Sequence, residues 1–411
     1  MSLDWRRLAA TDRLVRQRQL IGRPLFLRPL VLGAIAAVAG AAVLAALPRP
    51  DAEVVWLGGL FGAAALIVAG APWRMFWRAD SSFLGRLPIE GKELYRLGAW
   101  RSLDAAWPLA AILAISAFGL GAAPLEVARH LAFDGALLIA GAALAPAVGA
   151  LAGVMVVSGQ AQALVQGATG QTAPPTTWLS IVPAAGAAAV IWAGYTATPW
   201  LASGAPRALV PLAAALVLAA AILLAVQPLA GRGLASATRA VAALDAVRLA
   251  HVDLVGPRGL ERLAGRLLPR PARLVYDKDI ALARRRHPGY YLVTGLGVIA
   301  LWIVAFAVGE PTRDLVAVAG AGLLGAYTIL FGRRLAVPPG EQPRLIGTLP
   351  IAPRAVHAAK RLAVAWRALF TVAVAGAPTA ARAAEPWLLA GALAAILVAV
   401  TLAGAALARL R

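Results

Sequence analysis

The side chains that most often carry out catalysis or bind metals are sparse in this sequence and are not grouped. The four histidines are His130, His251, His287 and His357. None of them belongs to an HExxH motif or to another metal-ligand spacing. The chain has no cysteine, which excludes a thiolate metal site, a cysteine nucleophile and a disulfide. We therefore expect no catalytic residues and no metal, and the chain is not predicted to be an enzyme.

A phosphate-binding loop is also missing from the sequence. Lys92 follows Gly91, but the next residue is Glu93, and no Gly-x-x-x-x-Gly-Lys-Ser/Thr motif occurs anywhere in the chain. We therefore expect the chain to bind no cofactor. If the protein depends on ATP, a partner subunit has to bind and hydrolyse it.

One short motif occurs twice. Residues 83–89 read FLGRLPI and residues 345–351 read LIGTLPI, 262 positions later. Each proline is followed four positions later by a basic residue, Lys92 or Arg354, and proline suits the first turn of a helix. Both copies could be simple loop-to-helix turns between two apolar stretches, but their recurrence favours a shared role.

The composition requires a bilayer around these motifs. Of 411 residues, 61% are hydrophobic and 14% are charged, and the mean hydropathy is +0.76. This is too little charge for a water-facing surface. Stretches of about 20 apolar residues can cross the hydrocarbon. Ten qualify, namely 30–47, 54–73, 105–123, 135–157, 177–200, 208–229, 290–309, 315–331, 368–381 and 387–407.

The basic residues decide the orientation. With the N-terminus in the cytoplasm and ten crossings, 34 of the 39 Lys and Arg residues lie on the inner side. The net charge of +20 is thereby explained without a nucleic-acid partner. This topology puts both termini and both motifs in the cytoplasm.

The predicted spans contain no Asp, Glu, Lys, Arg or His. Ionisable groups inside a bilayer are costly and are usually kept for proton or ion movement. Their absence disfavours transport driven by protons or sodium.

A basic linker, residues 231–289, joins the sixth and seventh spans. Within it, arginines recur at every fourth position beside leucines at helical spacing, namely Arg258, Arg262, Arg266 and Arg270 with Leu260, Leu263 and Leu267. Two interpretations remain open: a helix on the anionic inner leaflet, or a solvated helix packed on its neighbours.

The offset of 262 also relates the segments around the motifs. The basic residues 16–28 correspond to 278–290, the first span to the seventh, and the second to the eighth. The order of apolar and basic segments is kept over about ninety residues, and internal duplication of this kind is common in transporters.

With these features, the chain resembles the permease subunits of bacterial ABC exporters of the type-two class. The resemblance rests on the basic N-terminal segment, the two following spans, the Leu-Pro-Ile turn and the basic helix after it. It implies that each turn forms a coupling element docked on an ATP-binding subunit, and that the N-terminal segment lies at the interface. The coupling residues it implies are Gly85, Leu87, Pro88, Ile89 and Lys92 in the first copy, and Gly347, Leu349, Pro350, Ile351 and Arg354 in the second.

The predicted fold is an all-α, polytopic integral membrane protein with about ten transmembrane helices, an internal repeat, and cytoplasmic interfacial and coupling helices. Its segments are an amphipathic lead-in (1–29), a first transmembrane unit (30–230, coupling element 80–104), the basic linker (231–289) and a second unit (290–411, coupling element 340–367). The second unit has four spans, whereas six per unit are usual in the family.

The function that we expect is that of a permease subunit of an ATP-driven exporter in the bacterial inner membrane. The expected partners are an ABC ATPase subunit, membrane lipids, and a second permease chain or a second copy. A membrane scaffold or assembly factor without transport is the alternative. An intramembrane lipid-modifying enzyme is disfavoured by the missing catalytic cluster.

The topology predicts that residues 51–53 and 310–314 lie outside the cell. A cysteine placed in either segment of this cysteine-free chain should react with a membrane-impermeant maleimide added to intact cells. Labelling only after the cytoplasmic side is opened would contradict the orientation.

Overall fold

The computed structural model describes residues 4–20, 49–76, 89–121, 124–158, 177–202, 205–250, 259–286, 288–307, 312–335 and 351–381, with isolated positions between 37 and 45 and at 84, 87, 163, 391, 394 and 398. Every regular element in these ranges is a helix. The chain divides into two compact units, Met1–Ala243 and Leu244–Arg411. Each unit is described by itself below.

The first unit is built from one amphipathic helix and a set of apolar helices. The helices are α1 (Trp5–Leu20), α2 (Arg49–Ala69), α3 (Ala71–Met75), α4 (Gly91–Ser116, continued by a 3-10 turn, Ala117–Leu120), α5 (Pro124–Val157), α6 (Trp178–Ala202) and α7 (Ala205–Ala250). Helix α2 packs against α5 and α6, and α4 packs against α5 and α1. Helix α7 continues past the end of the unit.

Large and small apolar side chains alternate in the core between α2, α4 and α5. Leu60 and Leu138 are fully buried, and the alanines around them, such as Ala64 and Ala142, let the helix backbones approach closely. The indole of Trp56 donates a hydrogen bond to the carbonyl oxygen of Leu113 over 3.4 Å. The core therefore joins α2 to α4 by a polar contact as well as by packing.

Within the described residues, five helical stretches are long and apolar enough to cross a bilayer. They are Ala52–Ala69, Gly91–Leu120, Leu131–Val157, Trp178–Ala197 and Leu209–Gly231. They overlap the second to sixth predicted spans, so the prediction of an all-helical protein with several helices able to span a membrane is confirmed at this level. The first and tenth predicted spans lie largely outside the described residues, and the count of ten stays a prediction.

The second unit has the same kinds of element. Its helices are α8 (Leu260–Arg266), α9 (Arg270–Arg286), α10 (Pro288–Ala307), α11 (Thr312–Leu335) and α12 (Pro353–Ala380). Helix α12 packs against α9, α10 and α11. In its core, the Trp302 indole donates to the carbonyl oxygens of Val374 and Ala375, at 3.1 and 3.2 Å. The seventh and eighth predicted spans fall in α10 and α11.

The helix after each Leu-Pro-Ile motif runs without interruption into apolar sequence. The basic helix predicted after each motif and the span predicted to follow it form one continuous helix, α4 in the first unit and α12 in the second. Their internal prolines differ in position: Pro108 lies beyond the middle of α4, whereas Pro378 lies near the end of α12.

The basic linker contains two helices where the spacing of its arginines predicted one. Helix α8 ends at Arg266 and α9 begins at Arg270. Pro269 explains the break, because proline disfavours a helical conformation in the residue before it and has no N–H for the ladder. The prediction of a single helix through Arg270 was therefore wrong.

An ionisable residue is buried inside one of the apolar helices. Asp134 was predicted to lie outside the fourth span, but α5 begins ten residues earlier, at Pro124, and includes it. The residue is 0% exposed, and neither carboxyl oxygen has a hydrogen-bond partner among the described residues. Helix α5, unlike the spans predicted from the sequence, therefore contains a buried ionisable residue.

An unpartnered buried carboxyl group costs stability, so its removal should be favourable. We expect Asp134→Ala to raise the free energy of unfolding of the detergent-solubilised protein by about 1–3 kcal/mol. Thermal melting followed by tryptophan fluorescence measures the change. The matched control is Asp12→Ala, which removes a carboxylate paired with Arg101 and should lower the melting temperature. Similar losses in both variants would show that Asp134 has a stabilising partner.

Candidate functional site

The first Leu-Pro-Ile copy is packed against the amphipathic helix that begins the chain. We call the contact between α1, the described motif residues Leu84, Leu87 and Ile89, and the first turns of α4 the first junction. Its buried apolar side chains are Ala9, Leu84, Ile89 and Leu97, with Trp5, Leu8, Leu87, Leu94 and Trp100 partly buried around them. The apolar face of α1 therefore covers the motif and the start of α4.

Two polar contacts fix the position of α1 in the first junction. The Arg101 Nε donates to Asp12 Oδ2 over 2.9 Å, and only 3% and 12% of the two side chains are exposed. The backbone N–H of Trp5 donates to Glu93 Oε2 over 3.1 Å. A pair buried to this extent is costly to break, because one charge would be left without a partner. The register of α1 on α4 is therefore specified.

The start of α4 also lies close to α7. A methyl group added at Gly91 would meet the carbonyl oxygens of Ala230 and Gly231, the latter at 2.8 Å. One turn further on, the Tyr95 hydroxyl donates to the carbonyl oxygen of Leu223 over 3.0 Å. Glycine is required at position 91 because no side chain fits between the two backbones.

The second Leu-Pro-Ile copy ends in a corresponding arrangement. We call the contact between α8, α9, Ile351 and the first turns of α12 the second junction. Its buried apolar side chains are Ala264, Ala272, Val275, Tyr276, Ile280, Val356, Ala359 and Ala363. Ile351 packs against this cluster, as Ile89 does in the first junction.

The second junction contains a fully buried ion pair. The Lys360 Nζ lies 3.1 Å from Asp279 Oδ2, with the side chains 0% and 2% exposed. The two residues are 81 positions apart and join α9 to α12. The other carboxyl oxygen of Asp279, Oδ1, lies 3.3 Å from the Nζ of Lys278, whose side chain is 44% exposed. The contact between Lys360 and Asp279 is therefore the fully buried part of a small charge cluster, and it offsets the cost of removing both charges from water.

Glu261 connects α8 to its neighbours. Its carboxylate pairs with Arg284 at 2.6 Å, and its backbone carbonyl accepts a hydrogen bond from the Tyr276 hydroxyl over 3.0 Å. Burial raises the pKa of the Tyr276 hydroxyl above its ordinary value, and the Glu261 carboxylate adds to this effect. Tyr276 therefore remains a neutral donor throughout the physiological pH range, and α8 is held on α9.

The two junctions share three features. Each has an amphipathic helix rich in arginine, the isoleucine of a Leu-Pro-Ile copy in its apolar cluster, and a buried ion pair from that helix to the helix after the motif. The residues of the ion pairs are not related by the offset of 262, so the likeness is one of arrangement. The internal repeat itself stays a prediction.

The residues predicted to couple with a partner differ in exposure. Ile89 is buried and Leu87 and Ile351 are partly buried, all three against helices of this chain. Lys92 and Arg354 are exposed. The other predicted residues, Gly85, Pro88, Gly347, Leu349 and Pro350, lie outside the described residues.

A groove of about 330 Å³ lies beside the exposed end of the first junction. Lys92, Arg96 and Arg6 line it together with Asp4, Glu90 and Glu93, next to Trp5. Lys92 and Glu90 are about half exposed and lie 2.7 Å apart. The groove contains positive and negative side chains and an indole ring. This combination is suited to binding a polar surface of another protein.

Sequence reasoning missed the four residues of the buried ion pairs. Asp12, Arg101, Asp279 and Lys360 are ordinary charged residues of basic segments when each is considered alone. The available signal was their position on the face of the helix that carries apolar residues.

Among the described residues, no group of three or more His, Asp and Glu could hold a metal.

We find no match to this chain among protein-family models, curated proteins or solved structures. The resemblance to exporter permeases therefore rests on the short motifs and the segment order alone.

The buried pair of the second junction leads to a prediction with a matched surface control. We expect Lys360→Met to lower the free energy of unfolding by about 1–3 kcal/mol, because the buried Asp279 loses Lys360 and keeps the more exposed Lys278 as a weaker partner. Adding Asp279→Ala should restore most of this loss. Thermal or denaturant unfolding of the full chain in detergent measures both. Lys92→Met breaks an exposed pair and should change the stability by less than about 1 kcal/mol. A double variant no more stable than the single one would contradict the assigned pairing.

Proposed function

We propose that this chain is the membrane-embedded permease subunit of an ATP-driven ABC exporter, powered by a separate ATPase subunit. The observation that carries the proposal is the pair of junctions. In each, the end of a Leu-Pro-Ile copy is clamped to an amphipathic helix and leads directly into a long helix with an apolar second half. A partner that displaces the motif would displace the apolar helix with it.

In this proposal, the exposed residues of the junctions bind the ATPase, and the buried residues transmit its motion to the membrane helices. Lys92 and Arg354 are exposed and can contact an acidic surface of the ATPase. Leu87, Ile89 and Ile351 contact the chain's own helices and would pass the motion on. The mechanism is alternating access: ATP binding closes the partner subunits, and the helices that follow the motifs change their tilt.

The proposal also includes the number of spans, the internal repeat and the cellular location. We infer ten spans, an internal duplication, and a location in the bacterial inner membrane with both termini in the cytoplasm. Because the second unit would have four spans, a complete pathway requires a second permease chain or a second copy.

Two alternative functions, a scaffold and an ion-driven transporter, would depend on different residues of this chain. A scaffold without transport would use Lys92 and the adjacent groove to hold a cytoplasmic protein, but would show no ATP-dependent transport. Ion-driven transport would depend on the buried Asp134. We favour the exporter over ion-driven transport because each junction has an exposed basic residue beside its motif, Lys92 or Arg354, that a partner could contact. A single buried carboxyl group does not by itself supply a pathway for ions.

The proposal is tested by reversing the exposed charges. The chain is purified from its native membrane, and a co-purifying subunit is accepted only if it carries a Walker motif and hydrolyses ATP. Lys92→Glu combined with Arg354→Glu should reduce the recovery of this ATPase by about ten-fold or more, because like charges face each other across an interface. Vanadate-sensitive ATPase activity in proteoliposomes should fall in parallel.

The control is Arg239→Glu, which makes the same change of charge as either single substitution, at an exposed position of α7. It should leave recovery and activity unchanged. An ATPase that binds the charge-reversed chain as well as the original would contradict the coupling role. A tightly bound partner without ATP-driven transport of any cargo would favour the scaffold.

A further inference from the structure

The leucines of α8 and the leucine that follows the helix, Leu267, point away from the protein. Leu260, Leu263 and Leu267 are 48%, 51% and 76% exposed, and Leu274 on α9 is 68% exposed. Single exposed leucines are normal on a protein surface. Four on two consecutive short helices form an apolar surface that the described part of the unit does not cover.

The side of α8 that faces the protein is made of small residues. Ala264 is 2% exposed, and a Cβ at Gly265 would lie 3.1 Å from the Tyr276 ring. At 100° per residue, the positions of Leu260, Leu263 and Leu267 lie on one stripe that is separate from Gly265. A helix that served only to pack on α9 would present its leucines to α9. This helix presents them outward, so packing within the unit does not explain them.

Basic residues border the leucine stripe. Arg262 and Arg266 on α8 and Arg270 at the start of α9 are all exposed. The nearest acidic residues also face other arginines: Glu261 pairs with Arg284, and Asp277 lies 3.8 Å from Arg273. Asp277 also interacts with Arg262, so one carboxylate stands against the three arginines of this surface. The surface that remains is apolar and positively charged.

The chain places this surface next to an apolar helix. Helix α9 ends at Arg286, and α10, which is almost entirely apolar, begins at Pro288. One residue therefore separates α9 from the helix that contains the seventh predicted span. The bond between Glu261 and Arg284, near the end of α9, holds α8 close to that boundary.

We propose that the surface formed by these four leucines and three arginines binds an anionic lipid leaflet. The leucines enter the boundary between headgroups and acyl chains, and the arginines contact lipid phosphates. Because α8 is fixed by Tyr276 and Arg284 before it meets lipid, little ordering is required on contact. The proposal needs a membrane but does not depend on the transport function.

The experiment uses the absence of native cysteine. The full-length Leu267→Cys variant carries an environment-sensitive nitrobenzoxadiazole label and is placed in nanodiscs of phosphatidylcholine, with or without phosphatidylglycerol. In anionic discs we expect blue-shifted emission and quenching by lipids with a doxyl group high on the acyl chain. Each arginine contributes about five-fold, so Arg262→Gln with Arg266→Gln should lower the ratio of docked to undocked label by about 25-fold.

The control is the charge-preserving pair Arg262→Lys with Arg266→Lys, which should retain most of the docking. Both pairs alter exposed side chains, and unchanged melting temperatures would confirm intact folding. A label that stays water-exposed in anionic discs would overturn the proposal. Equal shielding in neutral and anionic discs would overturn its electrostatic part. Shielding that requires an added ATPase or other protein would make this a protein-docking surface instead.

Discussion

A buried ion pair joins an amphipathic helix to a long helix in each of the two units, and the geometry of both junctions depends on it. Arg101 with Asp12, and Lys360 with Asp279, are almost fully removed from water. Neither charge of a pair can be exposed without moving the helix that carries it, and neither can be buried alone without a cost of several kcal/mol. The pairs therefore select one register for each amphipathic helix. The apolar clusters around Ile89 and Ile351 then pack against a fixed partner, and the groove beside the first junction has a defined shape.

Much of this architecture could be predicted from the sequence because it follows from local composition. Apolar length identified the helices that can cross a bilayer, and the recurrence of the Leu-Pro-Ile motif pointed to both junctions. Pairings between distant residues had no such signal: Asp279 and Lys360 are 81 positions apart, and charge alone does not identify a partner. The inward direction of Leu87 was hidden for the same reason, since it is set by the position of α1 and not by the motif.

Other differences arise because hydropathy measures averages, whereas helices end where backbone groups lose their partners. Asp134 was placed outside a span because a charged residue ends an apolar window, yet the hydrogen-bond ladder of α5 continues through it. The opposite error occurred in the linker, where the spacing of the arginines concealed a break at Pro269. Pro269 by itself indicates a helix break, but the regular spacing of the arginines and leucines favoured one continuous helix. The outward direction of Leu263 and Leu267 could be recognised only once the small residues beneath them were seen to occupy the inner face.

The internal prolines of α4 and α12 have a mechanical consequence. A helix of 26 residues such as α4 is about 39 Å long and resists bending except where its hydrogen-bond ladder is interrupted. In α4 that point is Pro108, beyond the segment held by α1. A bend there would redirect the apolar half, together with its contacts to α2 and α5, while the basic half stays on α1. In α12 the internal proline, Pro378, is almost at the end, and the preceding part of the helix can only move as a rigid rod. Two junctions of similar construction would therefore deliver different motions, a bend in the first unit and a whole-body tilt in the second.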